Sequence, residues 1–145
     1  MVRTPAPATF MLDTNTVSYI VRGRSARARL KLENLPADCD VCLSAITEAE
    51  ISYGLAKRPV KAEFRLAVER FLASIDVLAW DRKAAREYGA MRVRLEPSGR
   101  ALANMDLMIA AHAASIGAVL VTCDKAFSRI SESLPTANWA EDVTP

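Results

Sequence analysis

The 145-residue chain holds one histidine, so acid–base cleavage by a histidine pair is excluded. It has five glycines, none spaced as GxGxxG or GxxxxGK[ST], so neither of those nucleotide cradles is present. Three cysteines are too few for a disulfide framework, which points to a reducing cytoplasm. The longest nearly apolar run, 107–121, is interrupted by His112, Ser115 and Gly117 and falls short of the ~20 residues a membrane span needs. Residues 1–9 contain two prolines and no apolar stretch, so no secretory signal is expected.

What is there describes one globular domain. Apolar residues make up 51% and charged residues 25%, an ordinary balance for a chain that buries its own core. The expected domain spans 1–145, with 1–8 as a loose tail. Short apolar runs at 9–12, 41–44, 77–80 and 119–122, with a weaker one at 137–139, alternate with helical periodicity. That alternation predicts βα units around a parallel sheet of four or five strands. Val60, Phe64, Ala67, Val68, Phe71 and Leu72 give one helix face, with Pro59 placed near its start. Ala84, Tyr88, Met91 and Leu95 give a second. A third helix over 107–116 ends at Gly117, and 96–104 reads as a loop.

The acids fall at telling places. Asp13 follows the first strand and Asp124 the fourth, and parallel sheets present such strand ends to the binding crevice. Asp106 is placed by length. A ten-residue helix descends ~15 Å, and the five-residue strand and exit rise ~16 Å, so Asp106 returns to the same edge. Thr47, Glu50 and Gly54 share a helix face after the second strand, with Gly54 allowing a close backbone approach. Glu48 points elsewhere. Each aspartate could equally cap a helix, and Glu50 could serve the helix dipole. Convergence of four carboxylates favours a shared role. Two like charges 4 Å apart cost about 4 kcal/mol at an effective dielectric of 20, and an oxygen-only donor set suits Mg²⁺ or Mn²⁺.

Taken in order, Phe10-Met11-Leu12-Asp13-Thr14-Asn15, the stretch Ser44-Ala45-Ile46-Thr47-Glu48-Ala49-Glu50, Met105-Asp106-Leu107-Met108, Leu120-Val121-Thr122-Cys123-Asp124 and a late Asn138-Trp139 resemble PIN-domain nucleases. Within that superfamily the pattern is similar to the VapC-type toxins of bacterial toxin–antitoxin modules. The resemblance runs from about Phe10 to Trp139. It implies a three-layer α/β/α fold with strand order 3-2-1-4-5 and an acidic site of Asp13, Glu50, Asp106 and Asp124, with the Thr122 hydroxyl beside the last. It also implies Mg²⁺-dependent hydrolysis of RNA, tRNA or ribosomal, to a 5′-phosphate and a 3′-hydroxyl. Asp13, Asp106 and Asp124 would be metal ligands, and Glu50 a ligand or the group that orients water. A homodimer and a cognate VapB-type antitoxin seated in the active-site groove are implied as well. A frequent family variant has asparagine near Cys123 or in place of Asp124; here all four acids stand.

Other features have plainer readings. His112 lies six residues past Asp106 and is expected to pack rather than react. Cys39 and Cys42 have CxxC spacing without a second pair, so zinc is not expected. Trp80 and Trp139 are expected to close the sheet ends. The acid-free stretch 22–31 reads as a solvated basic face or as an RNA contact through Arg24, Arg27 and Arg29. Assigning four acids to a site leaves 13 others against 19 basic side chains, which favours an anionic partner. Two alternatives stay open. A haloacid-dehalogenase-type phosphatase would need an aspartate where Asn15 stands, and a non-catalytic PIN-like scaffold would not need the acids.

Overall fold

A computed structural model describes residues 8–99 and 102–143. Its elements are β1 (Thr9–Leu12), α1 (Thr14–Val21), α2 (Ala26–Glu33), β2 (Asp40–Ser44), α3 (Ala45–Ala56), α4 (Ala62–Ser74), β3 (Asp76–Leu78), α5 (Arg82–Leu95), α6 (Asn104–Ser115), β4 (Val119–Val121) and β5 (Thr136–Ala137). Short 3₁₀ turns cover Glu96–Ser98 and Lys125–Ile130. The sheet is parallel throughout and ordered β3-β2-β1-β4-β5, as expected.

Strand alternation builds two cores. In β1, Met11 faces one side with its register partners Cys42 and Leu120, against Met91 and Leu95 of α5 and Leu107, Ile109 and Ala110 of α6. Leu12 faces the other with Leu43 and Val121, against Val17 and Ile20 of α1 and Ala28 of α2. Successive residues of a strand point to opposite faces, so one short central strand supplies both cores and three layers result. The tryptophans follow the edge strands β3 and β5 in sequence but pack on other elements than the sheet ends they were expected to close. Trp139 packs on Phe10 with ring centroids 5.2 Å apart, and Trp80 donates from Nε1 to the Met108 carbonyl at 3.0 Å.

Several boundaries differ from expectation. β3 lies at 76–78 rather than 77–80. α4 begins at Ala62, so Pro59 stands in the preceding linker instead of the first turn. α6 begins at Asn104, three residues early, which puts Asp106 inside its first turn. Gly117 ends this helix at φ +68°, a conformation glycine adopts without cost. Apart from Ala8, whose carbonyl accepts from the Asp40 amide at 3.1 Å, the expected tail over 1–8 lies outside the described residues. No helix among the described residues is long and apolar enough to cross a membrane.

Candidate active site

The carboxyl ends of β1 and β4 are neighbours, and their exit residues are tied together. The Asp13 amide donates to the Val121 carbonyl at 3.0 Å, and the Thr16 hydroxyl donates to the same oxygen at 3.2 Å. Asp13 is buried at 4% exposure. It is the N-cap of α1, with Oδ1 accepting from the Thr16 amide at 2.8 Å. The Thr122 side chain also hydrogen-bonds its carboxylate. Burial raises the Asp13 pKa, the Thr122 and Thr16 hydrogen bonds oppose the rise, and the negative charge of Asp124 adds to it.

Thr122 serves two acids. Besides bonding Asp13, its Oγ1 accepts from the Asp124 amide at 3.1 Å. Asp124 is exposed and caps the 3₁₀ turn that follows, its Oδ1 accepting from the Ala126 amide at 2.9 Å. Capping and crevice placement therefore coincide at Asp13 and Asp124. Asp106 is different: the N-cap of α6 is Ala103, so its carboxylate has no capping duty. Burial raises its pKa most, followed by the like charges of Glu50, Asp124 and Asp13 in that order. Glu50, half-buried on α3, accepts from the Thr14 hydroxyl at 2.7 Å.

All four acids thus reach one edge. No cation appears among the groups that shift Asp13 or Asp106, and among the described residues no ion pair joins any of the four to lysine or arginine. Uncompensated carboxylates at partly buried positions are costly for the fold, and this oxygen-only set suits a hard divalent cation. The donors are not pre-gathered: among the described residues no three acid, histidine or cysteine side chains already form a metal-holding cluster.

The basic stretch divides. Arg24 lines the same groove as Thr14 and Glu50. Arg29 is exposed but folds back on α1, with Nη2 donating to the Ile20 carbonyl at 3.0 Å, and Arg27 faces Glu141 at 3.7 Å. The groove also presents Arg22, Lys57 and Arg58, none of them among the three arginines expected there. Lys57 and Arg58 lie just past the end of α3, two turns on from Glu50 in its middle, so projecting that helix face onward would have found them. Gly54 does not admit a neighbouring backbone; a Cβ built there meets nothing within 4 Å. Instead it lines the open groove. His112 is buried, its Nδ1 sharing a 2.8 Å hydrogen bond with Ser44 Oγ. The Cys42 thiol is pushed up to about 11, chiefly by burial, which disfavours the thiolate that zinc requires.

A PIN domain family model matches residues 10–133. The chain is 35% identical to the tRNA(fMet)-specific endonuclease VapC of Shigella flexneri, over 90% of this chain and 98% of the relative. The chain belongs to the VapC family of PIN-domain proteins. A second relative, ribonuclease VapC2 of Rickettsia felis, is 34% identical over 90% and 97% of the two chains. A crystal structure of VapBC2 from that organism, bound to a DNA fragment from their promoter, superposes with a TM-score of 0.84. It is 32% identical and covers 90% of this chain and 98% of that one. Membership in this PIN family removes the phosphatase alternative.

Proposed function

We propose that this VapC homologue is the endoribonuclease toxin of a toxin–antitoxin module, hydrolysing an RNA phosphodiester in the cytoplasm with Mg²⁺ or, in its place, Mn²⁺. The observation that carries the reading is the convergence of four uncompensated carboxylates from four separate elements, with the Asp106 pKa raised first by burial and then by the charges of the other three. The family relatives named as ribonucleases support it.

Asp13, Asp106 and Asp124 would hold the cation. When bound, that ion supplies charge stabilisation at the phosphate and makes a coordinated water more acidic. The chain's own groups supply position. Thr122 holds the Asp13 carboxylate and the Asp124 backbone in one unit. Thr14 fixes the Glu50 carboxylate at the crevice, where it ligates the cation or orients the attacking water. Hydrolysis in this sense leaves a 5′-phosphate and a 3′-hydroxyl.

A VapB-type antitoxin is the proposed protein partner and a homodimer the proposed assembly; the solved VapBC complexes support the first. Transfer RNA is the first substrate to test, because the Shigella relative is named for one. Purified chain is incubated with total tRNA and with ribosomal RNA, in Mg²⁺ and in EDTA, and new 5′ ends are sequenced. Discrete 5′-phosphate ends appear in Mg²⁺ only. No cleavage in either RNA, with Mg²⁺ or Mn²⁺ present, would return the chain to the non-catalytic scaffold.

A further inference from the structure

We infer that the groove leading away from the acids is the track for the RNA backbone, held by Arg22, Arg24, Lys57 and Arg58. This rests on the endoribonuclease reading above. Two helix stripes carry it. Thr14 and Ser18 of α1 and its C-cap Arg22 recur every four residues; Glu50 and Gly54 of α3 and Arg58 beyond it do the same. Residues four apart share a helix face. Both stripes start at the crevice, where Thr14 donates to Glu50 at 2.7 Å, and both end on arginine. Between them lies a groove of about 610 Å³, lined also by Phe64 and Val68 of α4.

Charge selects the occupant. Four basic side chains line the groove against one carboxylate, Glu50. A polyanion with a charge at each repeat matches cations spread along a channel. From Glu50 to the end of α3 at Ala56 the helix rises ~9 Å, and Arg58 lies beyond that end, so its guanidinium is placed for a phosphate other than the one at the acids. The cations therefore hold phosphates flanking the one at the acids. Arg22 is already oriented. Its Nε donates to Ser18 Oγ at 3.2 Å, and its guanidinium carbon lies 4.3 Å from the Phe64 ring centroid. A guanidinium laid on a ring keeps its outer N–H groups available for bidentate phosphate contact. Midway, Gly54 leaves the channel open.

The test measures binding of a fluorescein-labelled single-stranded RNA of mixed sequence to the full-length Asp106→Asn chain in EDTA, across a salt series. Replacing Arg22 and Arg58 together by glutamine weakens binding at least tenfold. The slope of log affinity against log salt shrinks by ~0.7 for each phosphate no longer neutralised. The Arg22→Lys, Arg58→Lys pair retains most of the slope, which separates lost charge from lost folding. Replacing Arg27 and Arg29 by glutamine leaves the slope unchanged. Gly54→Leu weakens binding at constant net charge by filling the channel. An unchanged slope in the Arg22, Arg58 pair overturns the track, as does a loss confined to the Arg27, Arg29 pair. Groove variants that lose an antitoxin yet keep RNA affinity assign the groove to the protein partner and also overturn it. If the chain with Asp106 intact cleaves RNA in Mg²⁺, such a result sinks the track alone; no cleavage and no binding sinks the endoribonuclease reading beneath it.

Discussion

Helix α6 carries two ionisable side chains six residues apart, and the two are housed in opposite ways. In its first turn Asp106 is half-buried and feels the like charges of three other carboxylates. Two turns further on, His112 is 2% exposed, pairs with the Ser44 hydroxyl, and has its pKa lowered by burial, with Asp81 opposing. Ser44 in turn caps α3, accepting from the Ile46 amide at 3.1 Å. The His112 pair therefore fixes the helix that carries Asp106 to the helix that carries Glu50. One end of α6 leaves charge uncompensated; the other satisfies a polar group with a neutral partner. The first arrangement costs stability. The second contributes stability and sets the crevice geometry.

The largest effect expected from breaking this contrast is on catalysis. Asp106→Asn keeps the side-chain volume and removes the charge. It should lower Mg²⁺-dependent RNA cleavage about 10²-fold or more, since even groups behind a metal's own ligands cost 10–100-fold, while circular dichroism stays native. Asp13→Asn should act alike. Glu48→Gln, on the same helix as Glu50, should be nearly silent. Loss of activity in Glu48→Gln with Glu50→Gln intact would show that the wrong face of α3 has been assigned.

Next in size is the response to metal. At 100 times its dissociation constant, Mn²⁺ should stabilise the wild-type fold by about 2.7 kcal/mol through mass action, read as a rise in Tm over EDTA. Asp106→Asn should melt higher than wild type in EDTA, through relieved repulsion, and respond less to Mn²⁺. Asp124→Asn should follow the same pattern with a smaller gain in EDTA. Asp124 is exposed, and asparagine caps the 125–130 turn about as well as aspartate. Melting curves identical to wild type in both conditions would remove these acids from any shared site.

These two residues also show how far the sequence carried. The β1, β2 and β4 runs were legible to within a residue because β-branched and apolar clusters stand against polar exits. Asp13 and Asp124 followed from them. Asp106 reached the right edge by length matching, although α6 begins three residues earlier: its N-cap is Ala103, which carries no polar side chain to mark the start. The arginine stretch was legible as charge only. Which guanidinium enters the groove depends on the α1–α2 turn, and Arg29 turns back to the Ile20 carbonyl. Ser44 with His112 was hidden for another reason, since 68 residues separate the partners.

A third measurement sharpens the contrast through its pH dependence. Ser44→Ala removes an N-cap and leaves His112 Nδ1 without its partner, for about 2 kcal/mol lost. Asp13 and Asp106 have raised pKa values, so their neutral forms favour the fold. That contribution is complete below ~3.9, the unfolded carboxyl value, and is lost as pH rises through the folded values. His112 is lowered, so its contribution is complete above ~6.5 and lost as pH falls toward its folded value. In metal-free protein, Asp106→Asn should flatten the loss of stability on the rising side. His112→Asn should flatten the loss on the falling side. Chemical denaturation at pH steps from 4 to 8 reads both, and identical profiles for all three proteins would mean that neither end of α6 is coupled to folding.

The smallest effect is expected at Gly54, where fold and groove make different demands. The residue sits inside α3, so its conformational freedom in the unfolded chain is lost on folding without a side chain to offset it. A Cβ there meets nothing within 4 Å, and its φ is not in the left-handed region. Gly54→Ala should therefore stabilise the protein by roughly 0.5–1 kcal/mol, measured from the urea midpoint at unchanged m. A single methyl takes up little of the groove, so RNA cleavage should fall less than twofold. A gain in stability with intact cleavage would mean that the glycine is there for space, and only larger side chains should then obstruct the RNA. A loss of stability would mean that this turn of α3 is more crowded than the open groove allows.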